Sequence, residues 1–329
     1  MPINKNVHLT SKVFSKDIAE APTRDGYGIG LVEVGEANEN VVVLCADLAE
    51  STRSAKFKER FPERFIQVGV AEQNMANVAV GLALNGKIPF ASTYAVFMPG
   101  RNWDQIRISS CYNNANVKFA GAHTGISVGP DGATHQAMED VALTRVLPRM
   151  TVLVATDMEE TRKVVHAAVD LKGPVYFRFA RAATPVFTTL KTPFKIGKAQ
   201  VFHEGSDVAI IGAGPIIHSA LLAAHQLVEQ GISCRVINSP SIKPIDADTI
   251  ERAARECRAI VTVEEHQVMG GIGSAIAEVV VKTYPVPIEF VGMQNSFGES
   301  GEPAELLKKY KMDTGAIADA VKRVLKRKR

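Results

Sequence analysis

Short, mostly apolar runs recur along the chain at intervals that a helix would fill, and this rhythm limits the fold more than any other feature. Residues 41–45, 65–68, 88–91, 117–121, 151–155 and 175–179 are such runs. They are too short for helices and suit strands covered on both faces. The stretches between them, at 71–85, near 102–111, at 138–146 and at 158–171, read as helices. Alternating strands and helices make βαβ units, hence a parallel sheet with helices on both faces. Residues 184–197 are rich in Thr, Pro and Lys, with Pro185 and Pro193, and read as a linker. A second series follows, with strands near 208–212, 233–238, 259–264 and 288–291 and helices near 215–230, 246–256, 273–281 and 313–325. The expectation is two doubly wound α/β domains, each with a mostly parallel sheet, at residues 1–183 and 198–329. A chain of 329 residues accommodates both, at about 150 residues per domain.

Apolar side chains make up 46% and charged ones 22%, as in an ordinary soluble globular protein. With 38 basic against 35 acidic side chains, the net charge of +3 is too even for a nucleic-acid-binding surface. The basic stretch 322–329 reads as a frayed, solvated end. Cys45, Cys111, Cys234 and Cys257 show no C-x-x-C spacing. Cys45 lies in an apolar run and reads as a core thiol, so a reducing compartment is expected. Met1-Pro2-Ile3-Asn4-Lys5 opens no apolar signal segment. No apolar run approaches the ~18 residues of a membrane span. A cytoplasmic protein without nucleic-acid or membrane partners is expected.

The helix at 71–85 is unusual. Met75, Ala76, Val78, Ala79, Val80, Leu82, Ala83 and Leu84 leave almost no polar stripe. A helix apolar all round is buried on all sides. In a chain of this size, that points to packing against another subunit.

The residues able to do chemistry share one position, just after a strand. Asp47 and Ser51 follow 41–45, Glu72 follows 65–68, and Tyr94 and Phe97 follow 88–91. His123, Asp131 and His135 follow 117–121, and Arg181 follows 175–179. Parallel α/β sheets bind ligands at the carboxyl ends of their strands, so these five loops are expected to build one composite site. Asp47 and Ser51 taken singly would also serve as turn or cap residues, and Tyr94 and Phe97 as core packing. Glu72 opens an apolar helix, where the dipole favours a carboxylate and burial favours its protonated form. A carboxyl group so placed suits proton exchange with a heterocycle nitrogen. The loop Gly125-Ile126-Ser127-Val128-Gly129-Pro130-Asp131-Gly132 is flexible by composition. The histidines flanking it, His123 and His135, read as polar substrate contacts. Gly212-Ala213-Gly214-Pro215 and Gly270-Gly271-Ile272-Gly273 lack the full G-x-G-x-x-G pattern and read as tight strand-to-helix turns. Glu264-Glu265-His266 follows a strand, with turn capping or subunit contact as its plainest use. No metal-ligand cluster is evident.

One motif is more specific. Gly129-Pro130-Asp131-Gly132-Ala133-Thr134-His135-Gln136-Ala137-Met138-Glu139-Asp140-Val141-Ala142-Leu143-Thr144-Arg145 is similar to the transketolase signature. Asp47-Leu48-Ala49-Glu50-Ser51 and Gly69-Val70-Ala71-Glu72-Gln73-Asn74-Met75 precede it in the matching order. Over roughly residues 10–325 the chain resembles the C-terminal half of a transketolase. It would comprise the pyrimidine-binding and C-terminal domains of the thiamine-diphosphate superfamily. The resemblance implies that Glu72 bonds N1′ of the cofactor's aminopyrimidine, that Tyr94 and Phe97 stack on that ring, and that Asp47 lies near it. It implies that Asp131 and His135 contact sugar hydroxyls, with His135 also moving protons. It implies that Ser51, His123 and Arg181 hold a sugar phosphate.

The Gly-Asp-Gly…Asn motif, by which the family binds Mg²⁺ (or Ca²⁺) and the cofactor's diphosphate, does not occur here. The resemblance therefore implies thiamine diphosphate shared with an N-terminal transketolase subunit that carries the metal. It implies inactivity without that partner, and self-association of the pair through both domains. Pro130 departs from the family's small or acidic residue, and Met98-Pro99-Gly100-Arg101 stands where longer transketolases have a further aromatic. Two other readings are open. One is the β subunit of a different thiamine-diphosphate enzyme, a 2-oxo acid dehydrogenase or a relative of deoxyxylulose-phosphate synthase. The other is a non-catalytic homologue that regulates a full-length enzyme. The Asp-Gly-Ala-Thr-His run with His123 upstream favours sugar-phosphate chemistry, and the complete set of polar residues favours catalysis.

Overall fold

The computed structural model describes residues 3–328. Met1 and Pro2 of the N-terminal stretch, and Arg329 of the basic end, lie outside the described residues. The first half supplies strands β1 (Glu20–Pro22), β2 (Val41–Cys45), β3 (Phe65–Gln67), β4 (Ile88–Tyr94), β5 (Lys118–Ala122), β6 (Thr151–Val154), β7 (Val175–Phe179) and β8 (Ala183–Pro185). The second supplies β9 (Gln200–His203), β10 (Val208–Gly212), β11 (Cys234–Asn238), β12 (Ser241–Lys243), β13 (Ile260–Gln267) and β14 (Ile288–Met293). The helices of the first half are α1 (Thr23–Ala37), α2 (Ala49–Thr52), α3 (Ala55–Arg60), α4 (Glu72–Leu84), α5 (Trp103–Gln105), α6 (Asp140–Arg145) and α7 (Met158–Asp170). Those of the second are α8 (Ile216–Val228), α9 (Ala247–Cys257), α10 (Ile272–Thr283), α11 (Pro303–Lys309) and α12 (Thr314–Arg327).

Two α/β units with mostly parallel sheets result. The first sheet has seven strands in the order β12-β6-β7-β5-β4-β2-β3, parallel except for β12. The second has five, β14-β13-β10-β11-β9, parallel except for β9. Wholly buried strands such as Val41–Cys45 and Val208–Gly212 explain the unbroken apolar runs. A short antiparallel pair, β1 with β8, ties the start of the first unit to its end.

Several elements depart from the sequence expectation. Helix α1 goes unread in the sequence because Gly26, Gly28, Gly30 and Gly35 weaken its helical propensity. Those glycines let neighbours approach: a Cβ on Gly30 would stand 2.9–3.2 Å from the Val165 side chain of α7, and one on Gly35 would strike Phe57 and Phe61. The stretch read as a linker is held to the body. Asp157 accepts hydrogen bonds from Phe187 N–H at 2.9 Å and from Thr188 N–H and Oγ1 at 2.6 Å each. Residues 3–18 pack on the second unit, with Val7 and Val13 in its core, and β12 of the second half joins the first sheet. The division by sequence at residue 183 cuts across both contacts.

Helix α4 is not covered on all sides within the chain. Met75, Ala76, Ala79 and Val80 are buried, while Gln73, Asn74, Asn77, Gly81 and Leu84 face outward. Within the basic stretch, α12 continues to Arg327, where Arg323 and Arg327 pair with Glu289 of β14, and Lys328 Nζ donates to Asp207 O at 2.9 Å. The four cysteines are buried and free. Among the described residues, no helix is long and apolar enough to cross a membrane.

Candidate active site

Strands β7, β5, β4, β2 and β3 lie side by side and parallel. At about 4.8 Å per strand, their carboxyl ends make a row about 19 Å long. Arg181, His123, Asp47 and Glu72 come just beyond those ends, and Tyr94 closes β4. Strand β4 runs on past residue 91 and delivers Tyr94 as its last residue. The following turn is tied down: Ala95 N–H donates to Ala122 O at 2.7 Å and Met98 N–H to Tyr94 O at 2.9 Å. It sets the Phe97 ring 5.8 Å from Tyr94 and 24° from parallel. His123 stacks on Tyr94 at 4.0 Å, and His135 meets Tyr94 and Phe97 edge-on at 5.9 and 5.7 Å. Four rings, from the close of β4 and the segments after β4 and β5, thus form one cluster.

Glu72 is the first residue of α4, where free N–H groups and the helix dipole favour a carboxylate. It is only 4% exposed, and a buried carboxylate needs a partner. Arg101 supplies one. Its Nη1 donates to both Glu72 oxygens, at 3.1 and 3.3 Å. The same guanidinium lies over the Phe97 ring, 4.0 Å from its centre. Asn102 Nδ2 donates to the Glu72 carbonyl at 3.1 Å and fixes the turn against the helix.

The other end of the cluster is positively charged. Arg24, at the start of α1, donates to Ser51 O at 3.0 Å. Arg53 pairs with Asp25 at 2.6 Å, and Arg181 donates to Val128 O at 3.1 Å. His123 is 1% exposed. Burial, then the charges of Arg24, Arg181, His135 and Arg53, bring its imidazole down to about 3. It is therefore a neutral ring near pH 7. Its Nδ1 and the Nε of Arg24 are buried without hydrogen-bond partners among the described residues. Unsatisfied polar atoms beside surplus positive charge suit an anionic ligand group.

The structure thus gathers Glu72, Tyr94, Phe97, His123 and His135, with Ser51 and Arg181 joined to them by the arginine cluster. Asp47, at a left-handed φ of 62°, and Asp131 are exposed, and their side chains form no hydrogen bond or ion pair among the described residues. Among those residues, no three His, Cys, Asp or Glu side chains are gathered to hold a metal. Arg24, Arg53 and Arg101 are absent from the sequence-derived site. None lies in a motif, although Arg101 does mark a departure from the family pattern.

Two family models match the chain: residues 19–186 match the transketolase pyrimidine binding domain and residues 197–317 the transketolase C-terminal domain. The chain belongs to the transketolase family. It is 42% identical over 307 residues to a Methanocaldococcus jannaschii protein named for the C-terminal section of a transketolase, covering 92% of this chain and 96% of that protein. It is 38% identical to a 6-deoxy-6-sulfo-D-fructose transketolase subunit from Clostridium sp. strain MSTE9, covering 96% and 98% respectively. Human transketolase is 37% identical over 96% of this chain, which spans 51% of that longer protein. Among solved structures, a split gene transketolase described as an inactive beta4 tetramer superposes with a TM-score of 0.88 at 46% identity, covering 94% of this chain and 99% of that one.

In this transketolase chain the second domain braces the site. The loop 125–132 uses its glycines for left-handed turns, with φ of 83°, 79° and 74° at Gly125, Gly129 and Gly132. It is not the loose segment its composition suggests, since Ile126, Ser127, Val128 and Gly129 are buried. Glu265 accepts from Ser127 N–H at 3.1 Å, and Gln136 Nε2 donates to Glu299 O at 2.8 Å. Glu264, Glu265 and His266 lie within β13 rather than after it. Glu264 accepts from Ile272 and Gly273 N–H, which caps α10, and burial raises its carboxyl to about 8.

Proposed function

We propose that this transketolase chain is the C-terminal catalytic subunit of a two-chain enzyme. The pair would transfer a two-carbon ketol unit from a ketose phosphate to an aldose phosphate. One observation carries the reading: the Glu72 carboxylate and the Phe97 ring together hold a single flat, donor-bearing group, the Arg101 guanidinium. An aminopyrimidine needs the same pair, a carboxyl group against a ring nitrogen and an aromatic face for the heterocycle. Thiamine diphosphate therefore fits these residues, and when bound it supplies the electron sink for carbon–carbon cleavage.

Glu72 would hold and exchange a proton at N1′ of that ring. Tyr94 and Phe97 would fix the ring's plane, with Asp47 nearby. His135, whose Nδ1 lies 2.9 Å from the Thr134 hydroxyl, would move protons at the donor oxygen. Asp131 would bind sugar hydroxyls. Arg181, Ser51 and His123 would hold the phosphate, and Arg24 and Arg53 would add to the positive field there. The diphosphate and its Mg²⁺ or Ca²⁺ would be held by an N-terminal partner subunit. That assignment is supported by the relatives named as a C-terminal section and as a subunit, and by the neighbour described as an inactive beta4 tetramer. The outward face of α4 would meet a second copy of the chain.

The test is reconstitution. The chain mixed with a transketolase N-terminal subunit, thiamine diphosphate and Mg²⁺ should transfer ketol units between sugar phosphates, and neither chain should do so alone. Glu72→Ala in the assembled pair should lower the rate about 100-fold or more, the scale of a lost general acid–base group. An assembled pair that ignores sugar phosphates and decarboxylates a 2-oxo acid would reverse the assignment.

A further inference from the structure

We propose that Arg101 is a built-in occupant of the pyrimidine pocket, which a bound aminopyrimidine must displace. The inference rests on the functional reading above and adds a competitor to it. Two of the three groups expected to recognise the heterocycle are already engaged by this one side chain: the Glu72 oxygens at 3.1 and 3.3 Å and the Phe97 ring at 4.0 Å. A guanidinium can take that place because it is planar, carries N–H donors on its edge and stacks on aromatic faces. Those are the features an aminopyrimidine presents.

The anchor of Arg101 is firm and its arm is free. Its N–H donates to Phe97 O at 3.0 Å, and its carbonyl accepts from Gln73 Nε2 at 3.2 Å. Asn102, next in the chain, is buried and bonded to the Glu72 carbonyl. Gly100 sits so close to the Val96 carbonyl that a Cβ there would collide with it. The turn is therefore wound tightly, whereas the Arg101 side chain is 51% exposed and that of Glu72 only 5%. The arm can leave by rotation about its own bonds while the turn stays in place. Meanwhile it spares Glu72 the cost of being a buried, unpaired carboxylate.

A competitor and a ligand contact predict opposite signs. If Arg101 occupies the pocket, apparent affinity falls by the fraction of molecules with the arm out, and removing the arm restores it. The probe is thiamine, which carries the aminopyrimidine and lacks the diphosphate, titrated by calorimetry into the full-length chain. Arg101→Met should bind it about tenfold tighter than the unmodified chain. Arg101→Lys, which keeps the charge but not the flat fork, should fall between, and decides the matter if Arg101→Met fails to fold. Glu72→Gln should weaken binding in either background. Unchanged or weaker binding by both Arg101 variants, with Glu72→Gln still weakening it, overturns the proposal and leaves the pyrimidine pocket standing. Binding indifferent to Glu72, or no binding by any variant, overturns the proposal together with the pocket assignment.

Discussion

His123 illustrates how far neighbours decide the chemistry of a residue. In the sequence it is one of two histidines flanking a glycine-rich loop, and a histidine near a phosphate would ordinarily be expected to lend charge. Its burial against Tyr94 and the arginines around it keep the ring neutral, with its pKa down at about 3. On the proposed reading it would offer a sugar phosphate a hydrogen bond, and the charge would come from Arg24, Arg53 and Arg181. Removing one of these cations should ease protonation. Arg24→Ala is therefore expected to raise the His123 pKa, and so is inorganic phosphate, as followed by the imidazole resonances in an NMR pH titration. An unmoved titration in both cases would remove the arginines from the neighbourhood of His123. Glu72, Tyr94, Phe97, His123 and His135 were legible because each follows or ends an apolar, strand-like run. Arg24 was not, because it lies far upstream in a stretch without a motif, and only the packing of α1 brings it to Ser51.

At the level of elements, the strands were the most readable part. Val41–Cys45 and Val175–Phe179 fall where the apolar runs place them. Helix α1 was invisible for a physical reason: its glycines lower helical propensity in isolation, yet in the fold they admit α7 and α3 at close range. Gly30→Ala tests this directly. A favourable propensity change would stabilise the protein if the site were open. The Val165 side chain is instead 2.9 Å from the new Cβ, so overpacking should destabilise the protein by roughly 1–3 kcal/mol, read from urea midpoints. A neutral or stabilising outcome would mean that α1 and α7 can part without cost. The loop 125–132 shows the limit of composition as a guide. Three glycines suggest looseness, but each takes a left-handed turn and Glu265 from the second domain holds the segment's backbone.

For the whole molecule, the seam between the two halves carries a titratable group. Glu160 of α7 accepts from Asn238 Nδ2 at 2.8 Å and from Thr156 N–H at 2.7 Å. Burial, and then Asp157, raise its carboxyl to about 8. An unfolded glutamate titrates near 4.3. Between about pH 4.3 and 8 the folded state holds a proton that the unfolded state has lost. This group's contribution is therefore fully present in acid and is lost as pH rises through that window, at up to about 1.4 kcal/mol per pH unit. Glu160→Gln should flatten the fall in denaturant midpoint between pH 5 and 8, and an unchanged slope would clear Glu160 of the effect. Strand β12 has a separate consequence. It belongs by sequence to the second half but forms the outermost strand of the first sheet, beside β6. Severing the chain within 184–197 and keeping the first piece would strip that strand away. The bare β6 margin would then be a template for pairing with other chains. A pyrimidine domain prepared by cutting at the apparent joint should therefore clump in solution, because the joint lies on the wrong side of a borrowed strand.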